Sequence, residues 1–371
     1  MHSNSTFVGR PRCLRYLPPI RTLQALVLGT AIVPLHHINA SKSYQFDSII
    51  NHNKLVVVSV VNPTTVFQDN KHMHGFGYDL ARNYANNLNV KLDFKTVPDN
   101  ATALKWVAQG KANFAMTTAT SQSIEQHDLM SFSATCGDLN ALRQNGLDQN
   151  LNWVFKYAND PLTQTASGFT CNAKQTGALR QLANFYNRNV VRADNWTTIQ
   201  RDLSRRMPIY KASFKQTAQK YDLDWHLLAA IGYQESYLKP DSVSPTGVRG
   251  LMMLTNDTAK AMGVSNRTDP TQSIQGGAKY YDQLLDRYAH IPYPDRHWYA
   301  LVAYNMGPNA LSNVQKQVRA QGKDANKWVH LYSYLDRNQA KNGRYRQAVQ
   351  YVTRIRAYLE HIKTTPQLVN I

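Results

Sequence analysis

The stretch Asp224-Trp225-His226-Leu227-Leu228-Ala229-Ala230-Ile231-Gly232-Tyr233-Gln234-Glu235-Ser236 decides how this chain is read. Asp224 is a residue that caps helix N-termini, and a dense apolar run follows it. On a helix, Glu235 shares a face with Leu228, Ile231 and Gly232, at separations of seven, four and three. An apolar stripe therefore ends in one carboxyl group. Desolvation on such a face raises a carboxyl pKa, so the group holds a proton near neutrality and donates it. Protonating a glycosidic oxygen requires such an acid. Helix spacing alone equally allows an ordinary glutamate facing solvent.

Downstream, Ser244-Pro245-Thr246-Gly247-Val248-Arg249-Gly250-Leu251-Met252-Met253-Leu254-Thr255 is a glycine-punctuated turn that leads into a helix. Ala303-Tyr304-Asn305-Met306-Gly307 comes later. Later still, Tyr351-Val352 lies on an amphipathic helix with Ala348, Ile355 and Tyr358. Asp269-Pro270 to Leu285 has the periodicity of a packing helix. Upstream, Lys54–Val61 is a β-branched run that reads as a buried strand, Tyr78–Leu88 has helical spacing, and Val90–Val97 alternates. Ala101–Gln109 is a short helix stopped by Gly110, and Ala112–Thr118 is a third strand. This strand–helix alternation predicts parallel pairing. From Ser121 to Gln175 the pattern loosens, Leu151–Tyr157 fits strand or helix, and helical periodicity resumes at Thr176. The fold class expected is α+β, multidomain.

The chain has 371 residues and a formal net charge of +18. That length suffices for two domains, and the charge favours anionic partners. Arg10, Arg12, Arg15 and Arg21 precede an apolar run over Leu23–Leu35 that ends near Ala40, the layout of an export leader. Without residues 1–40 two cysteines remain, Cys136 and Cys171. They pair in an oxidising compartment or stay as two buried thiols. Arg201, Arg205, Arg206, Lys211, Lys316, Arg319, Lys341, Arg344, Arg346, Arg354 and Arg356 are scattered rather than gathered on a nucleic-acid-reading module, so nucleic acid is not an expected partner. His36-His37, His72 and His74 lack the spacing of a zinc site, and no metal or cofactor is expected. Among the aromatic residues Tyr233, Tyr237, Tyr280, Tyr281, Tyr299 and Trp298, most are expected in the core rather than stacked on sugar.

The four blocks around Glu235, Ser244–Thr255, Ala303-Tyr304-Asn305 and Tyr351, in that order, resemble the lytic transglycosylase domain related to soluble lytic transglycosylases and goose-type lysozyme, over about residues 208–362. Leu55–Val61, Gly75-Phe76-Gly77-Tyr78-Asp79-Leu80 and Gly110-Lys111-Ala112-Asn113 resemble the first lobe of type 2 periplasmic solute-binding proteins. Two features depart from that second family. Residues 119–133 contain no arginine to hold an amino acid, and the chain is short for a complete second lobe.

The resemblances imply a leader over 1–40, a truncated solute-binding-like α/β domain over 41–200 and a mainly helical lysozyme-like domain over 201–371. They imply Glu235 as acid and base, Ser244 as a residue that helps place substrate, Tyr304 and Asn305 lining the cleft, and Tyr351 on the last helix. Met253 stands where the commoner pattern has a polar cleft glutamine, and Thr255 where many members have methionine. The implied substrate is the glycan strand of peptidoglycan, cut at the MurNAc–GlcNAc β-1,4 bond to leave a 1,6-anhydro end. The implied place is the periplasm, peripherally on the outer membrane, with other wall enzymes as partners. A muramidase using water and a catalytically weak wall-binding scaffold are the competing expectations.

Overall fold

A computed structural model describes residues 44–369, Asn70 excepted. The expected export leader and His36-His37 lie outside the described residues. The first half runs α1 (Gln45–His52), β1 (Lys54–Val60), β2 (Phe67–Asp69), β3 (His72–His74), α2 (Phe76–Asn87), β4 (Lys91–Val97), α3 (Asn100–Ala108), β5 (Phe114–Thr117), α4 (Ser121–Glu125), β6 (Met130–Ser133), α5 (Leu139–Arg143), β7 (Asn152–Phe155), α6 (Pro161–Gln175) and α7 (Ala178–Phe185). The five-stranded sheet has the order β4-β1-β5-β7-β6. β1 pairs in parallel with β4 and β5, as strand–helix alternation requires, whereas β7 runs antiparallel to β5 and β6. Val57 and Val58 point to opposite faces, both at zero exposure, so β1 is covered on each side. β2 and β3 form a separate antiparallel hairpin.

In the 121–175 segment the structure decides one open reading and corrects another. Residues 151–157, which fit strand or helix, contain a strand, and helix resumes at Pro161, not at Thr176. Asp160 caps α6 by accepting from Leu162 N, with Pro161 in the first turn. The buried face of α6 includes Thr163 and Thr170, which hides its amphipathic period from an apolar count. Cys136, in the turn after β6, is disulfide-bonded to Cys171 on α6, 35 residues away. On the chain-entropy argument, reducing this bond is expected to destabilise the protein by about 3–4 kcal/mol. A thermal melt with and without dithiothreitol checks this, and coincident melts would refute it.

The second half is helical: α8 (Ala193–Lys220), α9 (Trp225–Ser236), α10 (Asn256–Met262), α11 (Pro270–Arg287), α12 (Asp295–Met306), α13 (Pro308–Ala320), α14 (Trp328–Asn338), α15 (Gly343–Thr364) and α16 (Pro366–Val369). α8 runs through residues 200 and 201, so the sheet-bearing and helical regions share one helix. Phe185 at the end of α7 packs edge-on to Trp298, Trp328 and Tyr332, which joins the two regions through aromatic contacts. Arg356, one of the scattered basic residues, is not on the surface. It is fully buried on α15, donates to Glu360 Oε2 at 2.7 Å and to the Asn187 carbonyl at 2.6 Å, and lies over the Tyr186 ring. No described helix is long and apolar enough to cross a membrane.

Candidate active site

α9 begins where Asp224 accepts from His226 N and ends where Tyr237, in the left-handed conformation, donates back to Gly232 and Tyr233 carbonyls. The helix is buried along Leu227–Tyr233, which fixes the direction of Glu235 at its C-terminal end. Ser236, the next residue, anchors that end by donating to the Leu251 carbonyl at 2.8 Å. The close approach depends on glycine. A Cβ on Gly232 would sit 2.8 Å from Leu251 Cδ2, and one on Gly277 in α11 would sit 2.7 Å from Met252 Cβ. The loop carrying Met252 and Met253 is thus clamped between α9 and α11. Ser273 Oγ accepts from Met252 N at 3.0 Å and completes the clamp.

Glu235 is half-buried, with one carboxylate oxygen receiving a 2.6 Å hydrogen bond from Tyr351 Oη. Burial among apolar neighbours raises its pKa to about 7, against a smaller downward pull from the Tyr351 hydroxyl. Tyr351 comes from α15 and its ring stacks near-parallel on Tyr304 of α12, centroids 6.5 Å apart. Tyr304 donates to the Met252 carbonyl at 3.0 Å, and Tyr280 of α11 leans on its ring at 5.3 Å. Burial and the nearby Glu235 charge push both Tyr304 and Tyr351 well above the usual phenol range, so both stay protonated donors. One carboxyl, two phenols and a third ring therefore gather from α9, α12, α15 and α11.

The remaining expected residues take distinct positions. Asn305 follows Tyr304 and has a buried Oδ1 with no hydrogen-bond partner. Met253 is half-buried in a left-handed conformation, φ 47°. Ser244 is engaged inside its own turn, accepting from Val248 N at 3.1 Å and bonded to Thr246 Oγ1 at 3.0 Å. Of the aromatic candidates, Tyr233, Tyr281, Tyr299 and Trp298 are core residues, whereas Tyr237 is exposed and Tyr280 half-buried. Asp241 and Asp257 are exposed and have no counterpart to the desolvation of Glu235.

Residues 212–327 match the transglycosylase SLT domain, and residues 55–189 match the bacterial extracellular solute-binding proteins, family 3. The solute-binding match thus precedes the SLT match along the chain. Glu235, Ser244, Met253, Tyr304 and Asn305 lie inside the matched SLT span, and Tyr351 lies beyond it on α15. The membrane-bound lytic murein transglycosylase F of Stutzerimonas stutzeri is 38% identical over 283 residues, 71% of this chain and 56% of that protein. The protein of the same name from Pseudomonas fluorescens Pf0-1 is 45% identical over 184 residues, 46% of this chain and 38% of its own length. That of Pseudomonas fluorescens Pf-5 is 29% identical over 465 residues, 97% of this chain and 93% of its own length. The chain thus spans about half the length of several relatives it matches. The 465-residue alignment exceeds the 371 residues present here, so the Pf-5 protein contains segments this chain lacks.

Proposed function

We propose that this protein is a peptidoglycan lytic transglycosylase that cleaves the MurNAc–GlcNAc β-1,4 bond and leaves a 1,6-anhydro-MurNAc end. The observation that carries this reading is Glu235, a single carboxyl with its pKa raised to about 7 and hydrogen-bonded to Tyr351. Glycosidases that add water commonly use two flanking carboxylates. Here the exposed Asp241 and Asp257 offer no second desolvated acid, so a substrate that supplies its own nucleophile fits better. In the proposed reaction, protonated Glu235 gives its proton to the glycosidic oxygen as the bond to C1 breaks, with the N-acetyl group assisting departure. The MurNAc 6-hydroxyl then attacks C1, and ionised Glu235 accepts the hydroxyl proton. No water is consumed. Placing nucleophile and electrophile on one sugar supplies the entropic advantage.

In this reading Asn305 Oδ1 takes a hydroxyl or acetamido N–H of the substrate, Tyr304 and Tyr280 form an aromatic wall, Met253 replaces a polar sugar contact with an apolar one, and Ser244 shapes the turn beside the cleft. Residues 1–40 act as an export leader, 41–200 as a shortened solute-binding-like domain and 201–371 as the catalytic domain. The Cys136–Cys171 disulfide supports a site of action in the oxidising periplasm. The relatives' names, which call those proteins membrane-bound, support peripheral attachment to the outer membrane. The basic surface suits the anionic wall polymer.

Mass spectrometry of digested sacculi is the test. Products one water lighter than hydrolytic muropeptides uphold the reading, water-added products replace it with a muramidase, and no soluble product leaves a binding protein. A Tyr351→Phe variant is expected to act roughly 10–100-fold more slowly, because the lost hydrogen bond stabilises ionised Glu235. Its alkaline limb should move to higher pH, since the same bond pulls the Glu235 pKa down. A pH–rate profile that coincides with the parent's would contradict that role.

A further inference from the structure

The β2–β3 hairpin and the start of α12 bring four metal-binding side chains together. Asp69 Oδ2 lies 2.7 Å from His74 Nε2 and 3.2 Å from His297 Nε2. His72 Nδ1 lies 3.4 Å from Asp69 Oδ1 and 3.5 Å from His297 Nε2. Asp69, His74 and His297 are all buried, and one donor atom from each lies within 4.8 Å of the others. We infer that Asp69, His74 and His297, with His72 at the open side, form a site for one divalent transition-metal ion of the zinc class.

Geometry separates this from a merely hydrogen-bonded cluster. Zinc–ligand bonds of 2.0–2.1 Å set tetrahedral edges of roughly 3.3 Å. With Asp69 Oδ2 as the single carboxylate donor, its separation from His297 Nε2, 3.2 Å, and that of His297 Nε2 from His72 Nδ1, 3.5 Å, already have that length. The His74–Asp69 edge would open by about 0.6 Å to accept the ion. His72 and His297 turn ring nitrogens toward each other, an arrangement in which at most one proton fits between two acceptors but one cation serves both. His297 also has the outer partner that metal-bound imidazoles commonly use. Its Nδ1 is 2.9 Å from the buried Tyr281 hydroxyl, which leaves Nε2 as the ligating atom. Two imidazoles or three with one carboxylate suit zinc and its neighbours rather than calcium or magnesium, which prefer all-oxygen shells.

Aromatic rings flank the site. His74 stacks on Phe67 at 5.2 Å and meets Trp298 edge-on, and His72 stacks on Tyr293 at 3.8 Å. His72, at 28% side-chain exposure, is the ligand through which an ion enters. A bound ion would tie the hairpin of the sheet-bearing region to the helix that carries Tyr304 and Asn305 about two turns further on.

Full-length protein, freed of metal with a chelator and carrying no affinity histidines, should take up one zinc per chain in equilibrium dialysis, with magnesium and calcium failing to compete. Zinc should raise its melting temperature by several degrees, and cobalt(II) should give the strong visible absorption of a tetrahedral site. His297→Gln and Asp69→Asn should each weaken zinc binding at least 100-fold, whereas His52→Gln, a surface control, should leave it unchanged. The cobalt spectrum needs no variant, so the site stays testable should His297→Gln fold poorly. A featureless cobalt spectrum, or zinc uptake that both variants retain, would overturn the assignment and leave a hydrogen-bonded histidine–aspartate cluster. These readouts do not depend on wall cleavage.

Discussion

Glu235→Gln is expected to lower the release of anhydro-muropeptides from sacculi by about 10²–10⁴-fold or more, the range over which a general acid and base commonly contributes. The glutamine keeps the shape and an oxygen for the Tyr351 hydroxyl, but it can neither give nor take the proton. Stability should move the other way. The folded carboxyl has a pKa of about 7 against an ordinary value of 4.5, so the folded state holds the proton more tightly than the unfolded chain. Between those two values the parent therefore loses stability as pH rises, and above about 7 the penalty for burying the charge is fully present. At pH 8 the variant should be more stable by about 2–3 kcal/mol, with the difference closing by pH 4.5. Urea unfolding at both pH values checks this. Equal activity in sacculus digests would remove Glu235 from the mechanism, and a variant less stable at pH 8 would show that the fold needs the acid itself.

The second large effect concerns Arg356→Met. Arg356 has no exposed surface, and its partner Glu360 is also buried, with Arg188 Nε 3.1 Å from its other oxygen. Removing the arginine leaves a carboxylate enclosed with one half-exposed partner, for which a loss of about 3–5 kcal/mol is expected. Burial already pushes Glu360 up, so in the variant it should take a proton and stability should recover in part as pH falls. The double variant Arg356→Met, Glu360→Leu should regain most of the loss, because a buried ion pair exchanged whole for apolar groups is often neutral. Midpoints of urea unfolding separate the cases. A double variant as weak as the single one would locate the effect in the hydrogen bond to Asn187 rather than in the charge.

The parts of the fold that were legible in the sequence are those where one period runs long enough. β1 and β4 show strand patterning, and α9, α11 and α15 show helical stripes that place Glu235 and Tyr351 on buried faces. The segment from Ser121 to Gln175 was not legible because α4 and α5 have five residues each, too few to show a period, and α6 buries threonines. The burial of Arg356 was not legible for a related reason. A charged side chain on an amphipathic helix reads as solvent-facing, and only its fourth-residue neighbour Glu360 signals an internal pair. His72 and His74 carried no sequence sign of company because His297 lies 225 residues after His72 and reaches it through the packing of α12 against the hairpin.

The acid and the hydroxyl that holds it stand 116 residues apart in the chain. During synthesis, Glu235 leaves the ribosome long before α15 exists, so the growing polypeptide has the proton donor without the phenol that tunes it. In the proposed function the acid is therefore tuned only once α15 docks, and a copy cut short before Tyr351 would keep Glu235 without its hydrogen-bond partner.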